Sequence, residues 1–314
     1  MKPHCSLQRV ASRIVVVVLF ILVATAISWS QSARFLVLSD WGGFGSNDQK
    51  SVAAAMGKEA SRIKAQFVLT AGDNYHGDGI ASADEVRWKT EYEDVYAAPS
   101  LQIPWYPSLG NHDNVGSASA EILYSTRSKR WNFPSRYYAH EEPIDQKERL
   151  LIIHLDTSPF VGEYLNARDD KYHLKGQDSK KQVRWLDSVL SVSHSRWTLV
   201  VGHHPIYSAA PKHGDTKELI GSVLPILQKY HVPLYVCGHD HVLQHLKDGS
   251  MDFFVCGGGA ETREAGNRAD VVYSEGKLGF LSVSVTMDKL KVNYVGVDDN
   301  VLHSAEISAP RRSK

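Results

Sequence analysis

The stretch LTAGDNYHGDG, residues 69–79, closes a short apolar run on two aspartates, an asparagine, a tyrosine and a histidine. Glycines punctuate it at 72, 77 and 79. Residues 67–71 are apolar over a strand's length, and the glycine after them lets the chain turn sharply. The same pattern recurs along the chain. FLVLS (35–39) runs into Asp40, WYPSLG (105–110) into Asn111-His112-Asp113, LVVG (199–202) into His203-His204-Pro205, and LYVCG (234–238) into His239-Asp240-His241. Five strand ends therefore deliver Asp, Asn or His, four of them just past a glycine. A lone Asp after a strand is ordinarily a cap or turn residue, and a lone His a hydrogen-bonded structural one. Five such ends together point to one convergent site, because the carboxyl ends of strands are where α/β sheets build sites.

Strand-length runs at 34–39, 67–71, 105–109, 149–155, 198–201 and 233–237 alternate with helical patterns at 49–64, 83–96, 179–192 and 217–230. In the third helix Val183, Leu186, Val189 and Leu190 keep one apolar stripe. Shorter strands are predicted at 253–255, 280–285, 291–295 and 301–307. The fold class is α/β, a layered arrangement of mixed sheets with helices outside. No repeat or long low-complexity linker interrupts it, so a single domain is expected over 33–307, with a frayed tail at 308–314.

The chain has 314 residues, 43% of them apolar, enough for a large core. Lys2, Arg9 and Arg13 precede an uncharged apolar run at 14–27. As a helix it would span about 21 Å, short of the ~30 Å hydrocarbon core. With the small polar residues after it, the segment 1–32 reads as a secretory signal peptide. Its removal takes 35 basic against 35 acidic residues to 32 against 35. No basic block suggests nucleic acid, and no stable membrane association is expected once the signal is gone. Cys5 leaves with that segment, and Cys237 and Cys256 are expected to be buried thiols.

A donor set of carboxylate, amide and imidazole without thiolate suits borderline metals such as Fe, Zn or Mn. A central carboxylate can bridge two ions ~3.5–4 Å apart, as in two-metal hydrolases.

The order of these motifs resembles that of the calcineurin-like metallophosphoesterases. More narrowly, SDWGG (39–43), AGDN (71–74), WYPSLGNHD (105–113), KRWNFPS (129–135), GHHP (202–205) and CGHDH (237–241) look like the small mammalian-type purple, or tartrate-resistant, acid phosphatases. The resemblance covers about residues 34–297 and implies a four-layer sandwich of two mixed β-sheets flanked by α-helices. It implies one metal on Asp40, Asp73 and His241, and a second on Asp73, Asn111, His203 and His239, with Asp73 bridging. The pair would be Fe with Fe, Zn or Mn. His112 would stand beside the phosphate, oriented by Asp113, and His213 resembles a second proton-handling histidine. His213 lies one residue further from His203 than in the family, with Lys212 where an acidic neighbour is usual. His204 falls at a variable position and reads as structural.

Two departures stand out. Mammalian members staple a loop over the site with a cysteine pair, whereas residues 157–181 and 213–219 here hold no cysteine. The family's tyrosine ligand, the source of its purple colour, aligns with His76. Either His76 replaces it as a direct ligand or it turns away and water completes the shell. The implied activity is an exported phosphatase that hydrolyses phosphomonoesters, small-molecule or protein-borne, with metal-bound hydroxide, acting as a monomer. Rivals are a phosphodiesterase on the same metals and a non-catalytic, metal-containing exported binding protein.

Overall fold

The computed structural model describes residues 32–309. The strands in chain order are β1 (Ala33–Leu38), β2 (Phe67–Thr70), β3 (Trp105–Pro107), β4 (Tyr138–Pro143), β5 (Arg149–His154), β6 (Trp197–Val201) and β7 (Leu234–Cys237). They continue as β8 (Leu243–Asp248), β9 (Met251–Cys256), β10 (Val271–Glu275), β11 (Gly279–Val285), β12 (Lys289–Gly296) and β13 (Val301–Ser308). The α-helices are α1 (Asn47–Ile63), α2 (Asn111–Val115), α3 (Ala118–Tyr124), α4 (Gly162–Leu165), α5 (Ser179–Val192), α6 (Lys217–Ser222) and α7 (Leu224–Lys229).

Two sheets form, in the orders β13-β12-β11-β1-β2-β3 and β10-β8-β9-β7-β6-β5-β4. Both are mixed: β1, β2 and β3 run parallel, as do β5, β6, β7 and β9, while hairpin partners run antiparallel. Side chains alternate across a strand. In β1, Phe35 and Val37 therefore face the second sheet, packing with Leu69, Ile152, Leu199, Val236 and Val283. Leu36 and Leu38 face outward onto Val52 and Met56 of α1. On the far side Ile153, Val200 and Tyr235 pack against Leu186 and Leu190 of α5 and Leu227 of α7. Helix, sheet, sheet, helix is the four-layer sandwich expected from the resemblance.

The local differences have physical causes. The segment 83–96 is a short π-helical turn, Trp88–Glu93, rather than a long α-helix. Trp88, Tyr92 and Tyr96 share one buried face against Trp41, Trp105 and Trp131. The turn is widened by the bond from the Asp94 N–H to the Lys89 carbonyl. The helix expected at 217–230 divides into α6 and α7. Pro225 lacks an N–H and its ring would clash with the carbonyl four residues back, so it can only open a new helix. Strands β4, β8 and β10 went unpredicted. β4 and β10 are sheet edges with polar or charged residues, the composition that keeps edges from pairing with other chains. β8 is hidden directly behind the histidine cluster of 239–241. The expected tail begins inside β13, where Ser308 still pairs with Lys289, and the segments 1–31 and 310–314 lie outside the described residues.

Candidate metal centre

The carboxyl ends of β1, β2, β3, β6 and β7 meet on one rim of the sandwich, as the repeated pattern of apolar run and polar turn anticipates. Three of the residues there take positive φ without being glycine: Asp40 (54°), Asp73 (47°) and His239 (68°). That conformation is costly for a residue with a Cβ and persists where the surroundings over-determine it. Here they do. Asp40 Oδ2 accepts the backbone N–H of His239 at 2.9 Å, and Asp73 Oδ1 accepts that of His112 at 2.9 Å. A Cβ on Gly238 would collide with the Asp40 carboxylate, so glycine is required at that close approach.

Around these two carboxylates the imidazoles converge. Asp73 Oδ2 lies 3.3 Å from His203 Nε2 and 3.7 Å from His76 Nε2. Asp40 Oδ1 lies 3.4 Å from His241 Nε2 and 3.9 Å from His76 Nε2. Asn111 Oδ1 is 3.1 Å and His239 Nδ1 3.3 Å from His203 Nε2. Three overlapping groups place one donor atom per residue within 4.8 Å of one another: Asp40, His76 and His241; Asp40, Asp73 and His203; His203, His204 and His239. His76 thus faces the first group, its ring stacked on His241 at 5.3 Å, rather than turning away.

Burial alone would raise both carboxyls, but neighbouring imidazoles, His203 foremost, overcome it. Asp40 is held well below the usual range and Asp73 at about 2. In return Asp73 and Asp40 lift His203 to about 9 against its burial, and Asp40 likewise lifts His76 and His241. Two buried carboxylates thus draw positive charge toward themselves, the charge that bound cations would supply. His239 and His204 are pushed the other way, well below the ordinary value, by burial and by the adjacent histidines. Asp40 Oδ1 and His76 Nε2 are buried without a hydrogen-bond partner among the described residues. Buried polar atoms are seldom left unpaired. With carboxylate oxygens and imidazole nitrogens gathered around one point, they fit a metal centre.

The expected catalytic residues divide. His112 is half-buried on the rim, 5.3 Å from the His76 ring. Its Nδ1–H donates to the Gly77 carbonyl at 2.8 Å, leaving Nε2 free to exchange a proton. The expectation that Asp113 orients His112 is corrected. The Asp113 carboxylate is fully buried and accepts the backbone N–H groups of Gly110, Asn74 and Tyr75 at 2.8, 3.2 and 3.0 Å, so it braces two turns to each other. Burial, then Asp73, raises it to about 6. His213 is exposed and stands 4.2 Å, ring to ring, from His239, outside the three donor groups but against their edge. His204, read as structural from sequence, belongs to one of the groups, and only the unusual His-His doublet could have signalled it.

Two further features flank the centre. Over it, the uncrosslinked loop is tied down by Tyr164, whose ring lies 5.2 Å from His204, and by His173 donating to the Gly116 carbonyl. Cys237 and Cys256 are free, buried thiols, as expected.

Residues 33–243 match the calcineurin-like phosphoesterase family. The chain belongs to that family. Within it, the chain is 35% identical to purple acid phosphatase 4 of Arabidopsis thaliana over 289 residues, covering 88% of this chain and 84% of that one. It is 31% identical to tartrate-resistant acid phosphatase type 5 of Homo sapiens, covering 90% and 92% respectively. The solved structure of GAP50, the anchor in the inner membrane complex of Plasmodium, superposes with a TM-score of 0.79 at 24% identity over 90% of each chain. A purple acid phosphatase from yellow lupin seeds gives 0.63 at 15% identity, over 89% of this chain and 54% of that one. These two likenesses are of fold. Family and relatives together make this phosphoesterase a metal-dependent phosphatase.

Proposed function

We propose that this phosphoesterase is an exported phosphomonoesterase working with two metal ions. The observation that carries the reading is the run of three overlapping donor groups, with Asp40, Asp73 and His203 as the middle one. Asp40, His76 and His241 gather on one side, and Asn111, His203 and His239 on the other. Bound there, two ions would offset charge on the phosphoryl oxygens and make the attacking water more acidic. The chain's own part is positioning and proton transfer. Asp73 and Asp40 are fixed by backbone donors, so their oxygens need not reorganise as charge develops. His112, anchored through Nδ1, offers Nε2 as the acid for the departing alkoxide. His213, exposed at the edge, is the second proton carrier. With His76 in place of tyrosine, the first site loses an anionic oxygen that would favour a trivalent ion, so a wholly divalent pair is accepted beside iron with iron, zinc or manganese.

Export rests on the basic flank and short apolar run before residue 33. No helix among the described residues is long and apolar enough to cross a membrane. The substrate is a phosphomonoester, small or carried on a protein, and the working unit a monomer. The test is phosphate release from p-nitrophenyl phosphate and its bis-ester, with metal analysis of the same sample. Expected are two ions per chain, monoester hydrolysis in excess of diester, and loss of activity on chelation. Metal-replete protein that frees no phosphate from any monoester between pH 4 and 9 would end this reading.

A further inference from the structure

His204 is 2% exposed and has no role in the metal set carried over from the family. Its ring is held firmly. Thr157 Oγ1 lies 2.7 Å from Nδ1 and also accepts the His204 backbone N–H at 3.0 Å. Nε2, by contrast, is buried with no partner among the described residues. The ring sits 4.5 Å from that of His239 and 5.0 Å from that of His203, with Tyr164 covering it. A residue present only to pack beneath Tyr164 would have no use for an unpaired nitrogen in a desolvated position. An imidazole with one nitrogen held by a hydroxyl, the other unpaired, and its ring within a cluster of metal donors has the arrangement of a ligand. There, the outer hydrogen bond sets tautomer and orientation.

We propose that His204 is a direct ligand of the second metal through Nε2, making that site a three-imidazole site of His203, His204 and His239 completed by Asp73 and Asn111. This rests on the dimetal reading above. Ligation through Nε2 would fix the tautomer, with Nδ1 carrying the proton and donating it to Thr157 Oγ1. Three nitrogens and two oxygens suit Zn2+, Ni2+ or Cu2+ far better than Mn2+ or Mg2+, whose preferred donors are oxygens. The second position thus favours zinc over manganese or magnesium, and the His-His doublet is its cause.

The test is Zn2+ and Mn2+ titration of metal-free protein against a chromophoric chelator, in the wild type, His204→Phe and Thr157→Val. Folding is checked by near-ultraviolet circular dichroism and the urea midpoint. The wild type should take up two Zn2+. His204→Phe should keep one at unchanged affinity and hold the other at least tenfold more weakly, with little change for Mn2+. Thr157→Val, with the ring present but unguided, should lose roughly 10-fold, the low end for a residue that orients a ligand. The Co2+-loaded wild type should show a weaker visible band than Co2+-loaded His204→Phe, because higher coordination numbers absorb less. Equal Zn2+ affinities in the wild type and a folded His204→Phe would overturn the proposal. So would a change in KM alone, which would place His204 against substrate instead. If His204→Phe does not fold, an unchanged Zn2+ affinity in Thr157→Val overturns it. A wild type that takes up fewer than two Zn2+ defeats the dimetal reading itself, and the His204 assignment with it.

Discussion

Asn74→Leu should cost far more than its modest change of volume suggests. Asn74 is fully buried, and its side chain makes five hydrogen bonds. Oδ1 accepts from Trp41 Nε1 at 3.1 Å and from the Thr70 hydroxyl at 2.6 Å. Nδ2 donates to the Ser108 carbonyl at 2.9 Å, Glu121 Oε2 at 3.0 Å and Asp113 Oδ2 at 3.3 Å. Leucine strands all five partners out of reach of water. At about 1–3 kcal/mol for each stranded group, and allowing that Thr70 can turn elsewhere and Asp113 keeps its backbone donors, the loss is about 4–6 kcal/mol. A domain holds only about 5–15 kcal/mol in all. Urea unfolding of metal-free protein at pH 7 should show the midpoint fall by about a quarter or more with the slope unchanged. Asn74→Asp separates the terms. It keeps the two acceptances, loses the donations, and sets a third carboxyl beside Asp113 and Glu121, both raised by burial and then by neighbouring carboxylates. Raised carboxyls bind more protons folded than unfolded, so this variant should regain stability as the pH falls through about 6. A loss below about 1 kcal/mol in Asn74→Leu would refute the claim that this amide ties the strand ends together.

Other consequences are open to simpler measurements. His112→Ala should keep near-normal metal content while turnover falls by roughly 10²–10⁴, whereas Asn111→Ala should lower occupancy of one site. Metal analysis beside kinetics decides both, and loss of metal in His112→Ala would reassign it as a ligand. The wild-type protein loaded with iron should be colourless or nearly so, and His76→Tyr should bring a strong visible absorption; a tyrosinate-to-iron band in the unaltered protein would contradict the placement of His76. His140 is pushed down to about 4 by burial, so it is neutral folded and charged unfolded below its ordinary 6.5. Its stability contribution is complete above pH 6.5 and is lost as the pH falls, so His140→Phe should lose up to about 3 kcal/mol less than the wild type between pH 6.5 and 4. Parallel pH profiles of the two would count against this.

What the sequence disclosed depended on whether a signal was local. The apolar runs ending at Asp40, Asp73, Asn111, His203 and His239 are contiguous in sequence, and each run alone predicts a strand end. Their meeting on one rim then follows from the parallel pairing of β1, β2 and β3 and of β6 and β7. The role of Asp113 was out of reach for the opposite reason. Three of its contacts are to backbone N–H groups, two of them across at the neighbouring strand end, on Asn74 and Tyr75, and no residue type announces a backbone donor. His204 escaped because a doublet offers two identical donors, and only the fold decides that both rings reach the same cluster. The π-turn at 88–93 and the edge strands β4 and β10 were lost to tertiary packing and edge chemistry, which periodicity does not encode.

The substitution at 76 gains meaning from how differently its neighbours are held. Asp73 is fixed by the His112 N–H, Asn74 by five side-chain bonds, and Tyr75 is fully buried among Trp41 and Trp88 with its N–H on Asp113. Changing any of them disturbs the strand ends that define the site. His76 is different: its Nε2 lies 3.7 and 3.9 Å from the two carboxylates, too long for hydrogen bonds, and its ring rests on His241. The fold therefore demands the residues at 73, 74 and 75 but asks of position 76 only a donor that reaches the first group. An imidazole there changes the charge of the donor set by one unit without moving a strand. With His204 beside the second group, the chain carries neutral nitrogen at both ends of a carboxylate-centred site. On the dimetal reading proposed above, the architecture of the phosphatase would be kept while its preference moved from a trivalent toward a divalent pair of ions.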